Sequence, residues 1–155
     1  MGKKYRVSLI GVGSIAHIAH LPSLAARNDV EMVGAFAKHI ESVEKTQKSY
    51  AIQHAVHNLD ELLSLDLDCA FVLSPKTVHA EQVIQLLEAG VDVFCEKPMG
   101  MTLKEAYDMA DASARTGKKL MIAFNRRYAP VYRKAKEVYG QLSPDVLIAQ
   151  KNRPA

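Results

Sequence analysis

The sequence has no tryptophan, only two cysteines and 6% aromatic residues among its 155 positions. Cys69 and Cys95 each sit inside an apolar run and match neither CxxC nor metal-ligand spacing. A disulfide framework is therefore excluded, and both residues are expected as reduced, buried thiols. No apolar run approaches the roughly 20 residues that cross a bilayer. The charged start MGKKYR leads directly into a short apolar stretch without a signal-cleavage pattern. The expectation is a cytoplasmic protein with no membrane partner. Scarce aromatics and the absence of a recognition-helix motif leave no support for a nucleic-acid partner. The pairs His17/His20 and His54/His57 have turn-like spacing but no accompanying cysteine or carboxylate array, so no metal site is expected. No internal repeat or low-complexity linker is found.

What is present is the composition of one ordinary globular domain with an appendage: 48% hydrophobic and 24% charged residues. The net charge of +3 hides an asymmetry. Residues 1–114 carry 10 Lys+Arg against 15 Asp+Glu, whereas residues 115–155 carry 10 against 2. A basic end of this kind suits nucleic acid, a phosphate-bearing ligand, an acidic protein surface or plain solvation.

Short apolar runs alternate with longer segments of helical period, the pattern of a parallel sheet covered by helices on both faces. The fold class is α/β, a doubly wound parallel sheet. Strands are expected at Arg6–Ile10, Glu31–Phe36, Ala55–His57, Asp68–Leu73, Val91–Cys95 and Lys119–Phe124. Thr102 and Glu105 form a capping box ahead of a helix over Leu103–Thr116, with Gly117 as its left-handed cap. A second helix over Thr77–Ala89 carries Val83, Ile84 and Leu87 on one stripe and is closed by Gly90. Pro22 is expected to split the first helical segment into Ser14–His20 and Ser23–Arg27. A boundary near residue 128 separates this domain from a basic helix over Ala129–Tyr139 and a strand over Asp145–Gln150. That strand has no partner in sequence and reads as a sheet edge or the start of a further domain.

Directly after the first strand, Gly11-Val12-Gly13-Ser14-Ile15-Ala16 fits GxGxxG/A at a strand-to-helix turn. Gly11 permits the tight turn, Gly13 lets a diphosphate approach the backbone, and Ala16 keeps helix and strand close. The free N–H groups of Gly13, Ser14 and Ile15 then face the phosphates. The expected ligand is a dinucleotide, with a methyltransferase-like nucleoside binder as a rival. At the end of the second strand, an Asp or Glu would accept from the adenosine ribose. Here the slot reads Ala37-Lys38-His39, which repels no 2′-phosphate and offers it a cation. NADP is thus preferred and NAD is the alternative, with Glu41 close enough in sequence to reach a ribose.

The segment Val91–Met99, VDVFCEKPM, together with the glycine turn, Ser74–His79 and Asn125–Tyr128, resembles the N-terminal Rossmann domain of the glucose-fructose oxidoreductase, inositol dehydrogenase and MocA (Gfo/Idh/MocA) family. The resemblance covers about Tyr5–Pro130, and Glu96-Lys97-Pro98 is its most specific part. Ser74 and Lys76 depart from the family's usual Thr-Pro-Asn. The resemblance implies an NAD(P)-dependent oxidoreductase acting on a sugar, polyol or related hydroxyl or carbonyl compound. Lys97 is the implied catalytic residue, contacting the substrate hydroxyl and assisting proton transfer beside the nicotinamide. Desolvation near a cationic ring suits such an ammonium. Glu96 orients Lys97 or contacts the cofactor amide, Ser74 and Pro75 line the cofactor trough, His79 packs beneath it, and Asn125 ends the sixth strand near the nicotinamide. Arg126 and Arg127 face substrate, a neighbouring domain or solvent. The family's second α/β domain, absent from these residues, is implied to supply most of the substrate pocket and the interface of a possible homo-oligomer. The 155 residues are therefore expected to bind cofactor and to turn over poorly. A non-catalytic dinucleotide-sensing module is the alternative reading.

Overall fold

The structure is a computed structural model and describes residues 2–140. The expected strand over Asp145–Gln150 lies outside the described residues. Six strands, β1 (Tyr5–Ile10), β2 (Val30–Phe36), β3 (His54–Val56), β4 (Cys69–Val72), β5 (Asp92–Cys95) and β6 (Leu120–Ile122), form one sheet in the order β3-β2-β1-β4-β5-β6. Every described pairing is parallel. This is the doubly wound order, with its switch point between β1 and β4.

Parallel strands need crossovers, and six α-helices are described: α1 (Leu21–Ala25), α2 (Ile40–Tyr50), α3 (Leu59–Leu63), α4 (His79–Glu88), α5 (Leu103–Thr116) and α6 (Pro130–Tyr139). Their apolar stripes fill two cores. On one face Val83, Leu86 and Leu87 of α4 and Met109 and Ala112 of α5 pack on Ala70, Val72, Val93 and Cys95. On the other, Leu21 and Leu24 of α1 and Val43 of α2 pack with Val7, Leu9, Met32 and Ala35. Burial on both faces explains why the strands read as short continuous apolar runs.

Local signals set several ends. The Thr102 hydroxyl accepts from the Glu105 N–H at 3.1 Å, and the Glu105 carboxylate accepts from the Thr102 N–H at 3.1 Å. Gly117 closes α5 at φ +69°. Asn58 caps α3, accepting from Glu61 N–H at 2.8 Å.

Pro22 does not split the first helical segment. Residues 14–25 stay helical, but Ala16–His20 form a π turn in which the Leu21 N–H reaches the Ala16 carbonyl. The wide turn accommodates Pro22 at the first turn of α1, where a missing N–H costs little. Two expected ends also move. The segment expected as one helix from Thr77 starts as a 3-10 turn, Lys76–Val78, before α4, and the sixth strand stops at Ile122.

A compact unit ends at Ala123, and a second unit begins at Phe124. In the second, a 3-10 turn, Asn125–Tyr128, leads into α6. No helix among the described residues is long and apolar enough to cross a membrane.

Candidate functional site

The turn after β1 is pinned by both neighbouring strands. The Gly11 N–H donates to the Phe36 carbonyl at 2.8 Å, and the Leu73 N–H donates to the Ile10 carbonyl at 2.7 Å. Gly11 adopts φ +95°, and a Cβ there would stand 2.7 Å from the Leu73 carbonyl carbon and the Ser74 nitrogen. Only glycine meets both demands. Gly13 differs: a Cβ there would meet nothing within 4 Å, so its missing side chain leaves open space outside the protein. The helical run begins at Ser14, and its first-turn amides have no intrahelical acceptor. An open approach over Gly13, ending at such amides, fits a diphosphate.

That turn forms one wall of a cavity of about 800 Å³ at the carboxyl ends of β1, β2 and β4. Gly11, Gly13, Ser14 and Ile15 line one side, Lys38 and His39 lie at the end of β2, and Ser74 and Pro75 follow β4. The lining contains no carboxylate, and Glu41 does not belong to it. Three polar lining residues were not among the expected site residues: Ser42 in the first turn of α2, and Thr77 and Gln82 beyond β4. Gln82 accepts from the Ser74 hydroxyl at 2.5 Å. Its signal in sequence was only its place on the opening turns of a helix at the switch point.

His79 is not in the cavity wall. It is 1% exposed, with Nδ1 2.9 Å from the Pro98 carbonyl oxygen and Nε2 2.9 Å from the Ser74 carbonyl oxygen. It joins the loops after β4 and β5 from below. Glu96 and Lys97 follow β5 and also lie outside the lining. Glu96 Oε1 lies 3.0 Å from His20 Nε2, and its Oε2 accepts from the Lys97 N–H at 3.1 Å. The Lys97 side chain is exposed, and the Lys97–Pro98 peptide is cis. His20 is the second kind of omission: the sequence weighed it only as a metal ligand. Among the described residues no three His, Cys, Asp or Glu side chains converge on one point. Asn125 opens the 3-10 turn of the second unit instead of ending β6, because β6 stops three residues earlier. Beneath the site, desolvation pushes the Cys95 thiol up to about 12, so it is inert as a nucleophile.

Residues 5–124 match the GFO_IDH_MocA oxidoreductase family, whose description is an NAD-binding Rossmann fold. The chain belongs to this family. D-glucoside 3-dehydrogenase of Escherichia coli K12 is 33% identical over 125 residues, covering 80% of the chain and 36% of that protein. The crystal structure of myo-inositol 2-dehydrogenase from Lactobacillus plantarum superposes with a TM-score of 0.82 at 28% identity, covering 89% of the chain and 41% of that one. KijD10, a 3-ketoreductase of Actinomadura kijaniata solved with TDP-benzene and NADP, superposes with a TM-score of 0.82 at 25% identity, covering 90% and 44%. This GFO_IDH_MocA domain thus spans less than half the length of the relatives it matches.

Proposed function

We propose that the chain binds NADP, with its diphosphate on Gly11–Ile15, as the cofactor half of an oxidoreductase for a sugar, polyol or related hydroxyl compound. The observation that carries this is the cavity: a glycine turn open above Gly13 at one end and a carboxylate-free β2 end bearing Lys38 at the other. Lys38 and His39 offer a cation and a ring N–H to a 2′-phosphate, and Ser42 adds a hydroxyl from the adjoining helix turn. Ser74 and Pro75 bound the middle of the trough, and the Gln82 bond fixes the Ser74 hydroxyl. NAD is the poorer fit, because no lining acid is available to accept from a free ribose 2′-hydroxyl.

A bound nicotinamide dinucleotide supplies hydride chemistry. The protein's part is to hold the substrate hydroxyl and move its proton, and we assign that to Lys97 Nζ. Glu96 orients the turn that carries it. Asn125 is proposed for the nicotinamide end by family resemblance. In the structure the Lys97 side chain is solvated. The chain spans 36–44% of the compared relatives, which supports slow turnover by these residues alone.

Paired titrations with NADPH and NADH test the reading. Wild type binds NADPH more tightly, and Lys38→Ala weakens NADPH by roughly tenfold, the loss of one charge-assisted contact, while leaving NADH nearly unchanged. Equal weakening of both cofactors would remove Lys38 from the phosphate site. A response to S-adenosylmethionine and to neither dinucleotide would overturn the assignment.

A further inference from the structure

Lys97 sits in a turn held from two directions by histidines that the proposed chemistry does not use. On the far side, buried His79 reaches the Pro98 carbonyl oxygen at 2.9 Å. On the near side, His20 Nε2 lies 3.0 Å from Glu96 Oε1, and these two side chains are only 14% and 13% exposed. The ring of His20 is set edge-on against Phe94 at 5.4 Å and Phe71 at 5.9 Å, and those two rings stack at 4.8 Å. The phenyl pair thus leaves the imidazole little freedom except to present Nε2 to the carboxylate. Glu96 spends its other oxygen on the Lys97 N–H. His20 also ends the π turn, the one place where the helix leading from the phosphate turn departs from regular spacing. Such turns recur where a helix must aim a particular side chain.

We infer that His20 is a positioning residue: through Glu96 it fixes the backbone of Lys97, and it ties the lysine turn to the helix that begins at the diphosphate site. This deepens the reading of Lys97 as the proton-handling group and rests on it. The bond is well shielded, since both side chains are largely buried and the His20 ring lies against the Phe71–Phe94 stack, so it holds geometry more firmly than a surface pair would. The lysine side chain remains free to swing, while the peptide from which it springs does not. His20 touches no reacting atom in this account.

Residue-resolved amide exchange of the 155-residue chain, measured by nuclear magnetic resonance without cofactor, tests the inference. His20→Phe keeps an aromatic ring against Phe71 and Phe94 but has no Nε2, whereas His20→Gln keeps an N–H donor. The expected result is Lys97 N–H exchange roughly tenfold faster in His20→Phe and close to wild type in His20→Gln, with the amides of Leu9 and Val33 unchanged in both. Unchanged Lys97 exchange in a folded His20→Phe chain, or no recovery in His20→Gln, would overturn it. Wild type gives a readout independent of any variant's folding: long-range proton–nitrogen spectra are expected to show the His20 proton on Nε2, and a ring protonated only on Nδ1 would refute the bond. NADPH titration of the same samples separates this inference from the functional reading. No binding by wild type defeats the cofactor assignment and leaves the exchange result standing, whereas intact binding with unaffected exchange defeats the role of His20 alone.

Discussion

Two glycines two residues apart answer to different constraints, and substitution separates them. At Gly11 an alanine Cβ would collide with the Leu73–Ser74 backbone in a positive-φ conformation, so Gly11→Ala is expected to lower unfolding stability by about 2 kcal/mol or more. At Gly13 the added methyl meets only open space. Gly13→Ala should therefore leave denaturant midpoints almost unmoved and weaken dinucleotide binding. Urea titration paired with cofactor titration reads both effects, and equal destabilisation by the two alanines would contradict the assignment of the space above Gly13 to a ligand. The cysteines give another residue-level test. Desolvation raises the Cys69 thiol to about 11 and the Cys95 thiol to about 12. Both remain protonated at pH 8, so a thiol-disulfide reagent should modify them slowly in the folded chain and rapidly in denaturant. Cys95 is buried as expected and Cys69 only partly so, and fast labelling of the folded chain would contradict the shielding of both.

Among the elements, α5 and β1 offer the cleanest measurements. Thr102→Ala removes one half of the α5 capping box and should cost about 1 kcal/mol in unfolding stability. At the start of β1, Asp68 accepts the Arg6 N–H at 2.8 Å and the Lys3 ammonium at 2.7 Å, and these two bonds hold its carboxyl below the usual range. A depressed carboxyl stabilises the fold above its unfolded value of about 3.9, and that contribution disappears as pH falls through the lower folded value. Asp68→Asn should therefore flatten the loss of stability below pH ~4 in acid melts; an unchanged acid slope would show that the pair contributes nothing. The same elements show what a linear sequence discloses. The capping box, Gly117 and the buried strands were legible because each signal is local: a side chain bonding three residues away, or a short apolar run. Pro22 misled because the break it predicts is absorbed by the π turn that precedes it. Asn125 was misplaced because β6 pairs only as far as Ile122 with β5. Gly11–Ile15, Lys38, Ser74 and Pro75 could be named because motif and strand ends mark them. Gln82, Ser42 and the His20–Glu96 bond could not, since only the crossing of distant segments brings them to their partners.

For the whole molecule, the sheet order places the ends of β1, β2 and β4 around one cavity, and the proposed function gives that cavity to the dinucleotide. The basic balance after residue 114 is a property of the chain's end, and such a charge attracts phosphate groups and acidic surfaces alike. Binding of NADPH should weaken gradually between low and physiological ionic strength, as expected for a ligand that meets few cations. The substrate side of the reaction is a question for the longer relatives, of which this chain spans 36–44% in the three compared. The cofactor side can be settled directly. Amide shifts of the isotope-labelled chain, followed during an NADPH titration, should move first and furthest at Gly13, Ser14 and Ile15, saturating at one equivalent. NADPH binding that leaves those three amides in place, or no binding at all, would contradict the placement of the diphosphate on the turn after β1.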